Sequence, residues 1–169
     1  SDLHGLARFD TIQNNFSLIN RRCESELAQV CRQEQVSLLP YSPLGGGVLT
    51  GKYNEAPPPG ARFTDYLETG NDRQKKMARR FVNDRTIETT RRCMVIAQDL
   101  GISMETLATA WSKQHDFVAS TIVGASHVDH MEHFIRAANL TLDEETLARI
   151  DQIDVEIPNP MTEDGLRRL

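Results

Sequence analysis

The chain has 169 residues, 39% of them hydrophobic, with a formal net charge of −5 and three cysteines. That length suffices for one domain with a buried core, and Lys and Arg scattered among Asp and Glu exclude the basic stripe that a nucleic-acid backbone requires. Cys23, Cys31 and Cys93 are odd in number and lack CxxC spacing, which argues against a disulfide framework or zinc site and suits a reducing compartment.

No apolar run approaches the roughly 20 residues needed to cross a bilayer, and Ser1–Gly5 resembles neither a signal nor a transit peptide. A soluble, cytoplasmic protein without membrane insertion is expected, an organelle stroma being the other reducing option. The chain begins as if cut from something longer.

Short β-like runs alternate with longer helical patterns. Phe9–Gln13 is a strand candidate, followed by a helix over about Cys23–Gln33 with Leu27, Val30 and Cys31 at helical spacing. A second strand, Val36–Tyr41, runs into the Ser-Pro step and the three glycines of "YSPLGGGVLTGKY". The segment Asn54–Asp72, with Ala56-Pro57-Pro58-Pro59-Gly60, reads as a long irregular loop with the character of a lid. Helical pattern resumes over Arg73–Phe81 and Ile87–Leu100, where Gly101 is a candidate C′ residue. Ser103 caps a further helix through Trp111. Ser120–Val123 is the third strand candidate, and Ser126-x-x-Asp129 opens the next helix as a variant capping box. The last helix spans about Asp143–Ile153, and residues 156–169 read as a loosely ordered tail.

Three β-runs separated by helices specify a parallel α/β sheet. They complete neither a doubly wound sheet nor a barrel. The long separation between the glycine-rich loop and Gly124 is unlike a compact Rossmann repeat, so the better reading is the C-terminal part of a (β/α)8 TIM barrel: about three parallel strands with flanking helices, over residues 1–155.

The motifs "TIQNNFSLINR", "LLPYSPLGGGVLTGKY", "PPPGARF" and "ASTIVGAS" stand in the order and approximate spacing of the C-terminal half of aldo-keto reductases. The resemblance is especially to the bacterial and plant members that are related to potassium-channel β subunits. The resemblance implies a barrel that binds extended NADPH across the C-terminal ends of its strands and reduces aldehydes or ketones by hydride transfer. It also implies a missing N-terminal half. Its alternative is a non-catalytic, NADPH-binding regulatory or redox-sensing subunit. The family's proton donor, a Tyr supported by Lys, Asp and His, would lie upstream. Tyr53 and Tyr66 match none of these positions, so no catalytic residue is assigned and the segment alone is expected to be inactive.

Two readings stand for Gly45, Gly46 and Gly47: a generic turn, or a loop whose bare amides approach a diphosphate. Tyr41 offers a ring face on which the resemblance would stack the nicotinamide, with Ser42, Pro43 and Leu44 along the diphosphate. Gln13 carries the donor and acceptor that complement a carboxamide, or simply ends a strand. Lys52 and Arg62 are candidates for phosphate, Arg62 through its planar fork. Gly124 and Ser126 lie where a helix N-terminus favours an anion, Ser126 as cap, ligand or both. Where relatives often carry Gln, Glu and Asn around the adenine, this chain has His130, His133 and Phe134, so NADH is not excluded. A metal at His127, His130 and His133 is rejected, since no HxxxH or HExxH pattern is present. The expected partners are a small carbonyl substrate and the remaining barrel strands, without which exposed edges would favour aggregation.

Overall fold

A computed structural model describes residues 4–161. Two parallel strands, β1 (Thr11–Asn15) and β2 (Ser37–Tyr41), pair from Thr11 opposite Ser37 to Asn15 opposite Tyr41. Between them lie a short 3-10 turn at Arg22–Glu24 and helix α1 (Glu26–Glu34). After β2 come a 3-10 stretch over Gly45–Thr50 and then α2 (Arg62–Glu68), α3 (Asp72–Phe81), α4 (Asp84–Asp99), α5 (Met104–Lys113), α6 (His130–Asn139) and α7 (Glu144–Glu156). The sheet is open, as a part of a barrel would be and a complete barrel would not.

The expected third strand is not a regular one. Residues 117–122 do run along β2, with Leu38 N donating to Phe117 O at 2.7 Å, Ala119 N to Leu38 O at 3.0 Å and Ile122 N to Pro40 O at 2.7 Å. Only the parallel bridge from Leu38 to Val118 has ladder geometry. Pro40 has no N–H to give back to this neighbour, and the residue bonding its carbonyl is Ile122 where a regular ladder would use Thr121. One extra residue is accommodated and the ladder breaks.

Two other expectations are corrected. The irregular segment 54–72 contains α2, whose Phe63, Tyr66 and Leu67 fall at helical spacing and turn toward the core. Helix α6 begins at His130 rather than near Ser126, with Asp129 in the cap position making no side-chain cap bond. Elsewhere local chemistry sets the ends, at Gly101 and Ser103 as the sequence suggested. Gly101 N bonds Gln98 O and Ile102 N bonds Ala97 O, both at 3.0 Å, a Schellman closure with Gly101 at φ +61°. Ser103 accepts from Thr106 N at 3.1 Å to start α5. Asn83 and Thr86 form a capping box that starts α4 three residues earlier than its periodicity indicates.

The core has two aromatic centres. Phe16 packs on Trp111 at 4.9 Å, on His115 at 4.9 Å and on Phe117 at 5.7 Å, tying the end of β1 to α5. Phe63 stacks on Phe81 at 5.1 Å and meets Tyr53 at 5.9 Å, fixing α2 against α3 and the glycine turn. Arg21 ties the turn after β1 to α7, bonding Glu24 at 2.8 Å and Asp151 at 2.7 Å. Met161, buried, donates its N–H to Ile19 O at 3.0 Å. The rest of the expected tail, 162–169, lies outside the described residues. Among those described, no helix is long and apolar enough to cross a membrane.

Candidate functional site

Beyond Tyr41 the backbone enters the left-handed region at Ser42 (φ +59°) and again at Gly45, Gly46 and Gly47 (φ +57°, +64° and +93°). Packing explains two of these glycines directly. A Cβ on Gly45 would come within 2.5 Å of Ile19 Cδ1, and one on Gly46 within 2.6 Å of Phe63 Cζ. The amides are turned inward. Gly45 N donates to Ser42 O, Gly46 N to Ser42 Oγ and Gly47 N to Leu44 O, each at 2.9 Å. Of the two readings of the three glycines, the hydrogen bonds match the turn, which takes these N–H groups to close itself.

The turn forms one wall of a groove of about 540 Å³. Ser42, Pro43, Leu44, Gly46, Gly47, Thr50, Lys52 and Arg62 line that wall; Ile122, Val123, Gly124, Ser126, His130 and Phe134 line the other. The groove thus carries two permanent cations and several hydroxyls, with no carboxylate among its described lining residues. Lys52 Nζ lies 5.3 Å from the centre of the Tyr53 ring. The Arg62 guanidinium lies 5.6 Å from the Phe63 ring and 5.5 Å from that of Tyr66, so two aromatic faces steady it at the start of α2.

Tyr53 supports this wall from beneath. Its ring is buried and its hydroxyl accepts from Phe63 N at 3.2 Å, satisfying an amide in the first turn of α2 beside Arg62. Burial pushes its phenol up from the ordinary value.

The other sequence-derived candidates are placed apart. Tyr41, 41% exposed, lines an adjoining cavity of about 270 Å³ that shares Ser42, Gly46 and Arg62 with the groove. Gln13 lines a different cleft of about 610 Å³, beside Arg8, Ile12 and Val30 on the free side of β1. Gly45 lies buried under the turn against Ile19. Of the three histidines, His130 lines the groove and stands 3.4 Å from Ser126 Oγ through Nδ1. His133 is held elsewhere, its Nδ1 3.0 Å from Ser103 Oγ. His127 Nδ1 lies 3.2 Å from the Asp129 carboxylate.

Sequence reasoning missed Thr50, Ile122 and Val123 as lining residues, and Asn15 and Arg80 beside Tyr41. Thr50 belongs to the same motif as Lys52. Ile122 and Val123 read as interior strand residues, and only the broken ladder turns them to the groove.

Residues 2–155 match the Aldo/keto reductase family. The chain is 38% identical over 157 residues to "Protein tas" of Escherichia coli (strain K12), covering 90% of this chain and 42% of that protein. It is 29% identical over 142 residues to the L-glyceraldehyde 3-phosphate reductase of the same strain, covering 83% and 40%. To the probable voltage-gated potassium channel subunit beta of Arabidopsis thaliana it is 31% identical over 135 residues, covering 78% and 39%. The chain spans about two fifths of the length of these curated relatives. With motifs, parallel strands and family match in agreement, the chain belongs to the aldo/keto reductase family.

Proposed function

We propose that this chain is the cofactor-binding part of an NADPH-dependent aldo-keto reductase that reduces an aldehyde or ketone. The observation that carries the reading is the groove between the glycine turn and residues 122–134, in which Lys52, Arg62, Ser42 and Ser126 share a wall-to-wall space lined by no described carboxylate. That donor set fits a ligand bearing phosphates: two cations pair with its charge, and hydroxyls donate to its oxygens. Arg62 binds a phosphate through its fork, Lys52 as a point charge. Tyr41, beside the groove, offers its exposed ring as a stacking face, and Pro43 and Leu44 exclude water between them. Gln13 lies in the separate cleft on the free side of β1, and this reading gives it no contact with the ligand in the groove. Bound NADPH supplies the hydride; the residues of this chain hold and orient it, and the proton donor comes from elsewhere in the complete protein.

A second reading is a nucleotide-binding regulatory subunit with little turnover. It is favoured by the likeness to the Arabidopsis channel subunit beta.

Equilibrium titration of the full-length protein with NADPH tests the common part of both. Arg62→Ala is expected to weaken binding by roughly 1.5–3 kcal/mol, the value of a hydrogen bond to a charged group. An unchanged dissociation constant at low salt would remove Arg62 from the site. Turnover of an aldehyde panel then separates the reductase from the regulator.

A further inference from the structure

The turn that carries Lys52 is clasped from outside the groove by a thioether. Gly51, at φ +81°, ends the 3-10 stretch, and its carbonyl accepts from Asn54 N at 2.9 Å to close the turn around Lys52 and Tyr53. Met94, on α4, lies against both ends of that turn. Its Sδ accepts from Asn54 Nδ2 at 3.2 Å, and a Cβ on Gly51 would come within 2.9 Å of the same sulfur. One turn earlier on α4, Arg91 donates to the Asn54 carbonyl. The turn in turn sets Lys52: a Cβ on Gly47 would come within 2.9 Å of Lys52 Cε, so the lysine stem lies back across the bare Gly47 backbone and delivers its ammonium to the groove wall.

We propose that Met94 is a modification site, at which a peroxide oxidises the thioether to the sulfoxide, opens the contact of α4 with the Gly51–Asn54 turn and weakens dinucleotide binding through Lys52. This rests on the NADPH reading of the groove and adds a chemical control of it from the far side of its wall.

The reaction is an oxygen-atom transfer. One peroxide oxygen bonds to a sulfur lone pair, the O–O bond breaks, and the leaving hydroxide takes the transferred oxygen's proton to become water; sulfur loses two electrons and the peroxide gains them. Access favours Met94. It is 39% exposed, whereas Met104 and Met161 are buried and Met77 is half-buried against the core. Met131 is 42% exposed but stands on α6 in the stripe with Val128 and Ile135, so it serves as an internal control. The consequence follows from the packing. A thioether is a weak acceptor and an apolar neighbour for Gly51. The sulfoxide is polar and bulkier, and the close approach of Gly51 leaves it no added room on that side. It leaves the contact for solvent, Asn54 Nδ2 loses its acceptor, and the turn no longer holds Lys52 over Gly47.

The test is equilibrium titration of the full-length protein with NADPH before and after mild hydrogen peroxide, with peptide mass spectrometry to locate the added oxygen. Oxidation at Met94 is expected to weaken binding on the order of fivefold, part of what a hydrogen bond to a charged group contributes. Methionine sulfoxide reductase with a thiol reductant should restore the affinity. Met94→Leu should bind as wild type and keep its affinity after peroxide, Met131→Leu should lose it as wild type does, and Met94→Gln should bind weakly with no peroxide at all. In Lys52→Ala, already weakened, oxidation should add little, because the two changes act through one contact. A sulfoxide at Met94 with unchanged affinity, an equal loss in Met94→Leu, a Met94→Gln that binds as tightly as wild type, a full further loss in Lys52→Ala, or oxidation of Met131 that spares Met94 overturns this inference and leaves the groove's assignment standing. Failure of the untreated protein to bind NADPH overturns the assignment itself.

Discussion

Gly46 shows how a single residue joins fold to site. It has φ +64°, its missing side chain admits the Phe63 ring, and its amide bonds Ser42 Oγ. Gly46→Ala therefore strains the backbone and drives a methyl into a ring stacked on Phe81. A loss of about 2–4 kcal/mol is expected in urea unfolding of the full-length protein, combining the left-handed cost with overpacking. Loss of less than about 0.5 kcal/mol would mean that Phe63 yields freely. The glycines were legible as special in the sequence, but their purpose was not. Three adjacent glycines suggest open amides, whereas the hydroxyl of Ser42 and the carbonyls of Ser42 and Leu44 take those amides first.

At the scale of elements, α2 depends on a partner outside itself. It has seven residues, its cap residue Ala61 offers no side-chain acceptor, and Tyr53 Oη takes the Phe63 amide. Tyr53→Phe keeps the packing and leaves that amide without its acceptor, so about 1–2 kcal/mol of stability should go. NADPH affinity should fall as well, because Arg62 rides on the same turn. An affinity equal to wild type would show that α2 holds Arg62 without the Tyr53 bond.

The same scale divides what the sequence makes legible from what it does not. The ends of α4 and α5 are local: Gly101 and Ser103 close and open helices with bonds to residues within five positions, and those were readable. The third strand is not local. Its breakdown comes from Pro40 on the neighbouring strand, some 80 residues earlier in the chain, and nothing within Ser120–Val123 announces it. For α2, the pattern Phe63, Tyr66, Leu67 was present, but the Pro-rich run before it masked a helix that starts directly after the turn.

Over the whole molecule, two flanks remain apolar. On the β1 side Phe9 is 86% exposed beside Ile12 and Val30, and on the α6 side Val128, Met131 and Ile135 form a stripe. Further strands and helices of a barrel would cover both. Between these flanks the charged cluster around Arg21 sets a pH limit. Burial, aided by the positive charge of Arg21, holds His115 down to about 4 from its ordinary 6.5. The folded state thus favours neutral His115, so its contribution is fully present above about pH 6.5 and is lost as pH falls toward 4. The loss is at most about 3 kcal/mol between those limits. Urea midpoints at about pH 7 and pH 4.5 should separate more for wild type than for His115→Gln. Equal separations would place the acid sensitivity in the carboxylates instead.

The central claim is that the groove between the glycine turn and the start of α6 holds the dinucleotide. Hydrogen–deuterium exchange of the full-length protein with and without saturating NADPH tests it most directly. Slowed exchange in residues 42–52, around Arg62 and in 122–134, with residues 24–34 unchanged, is the predicted footprint. Protection confined to the cleft of Arg8, Gln13 and Val30, or no protection in either wall of the groove, would contradict it.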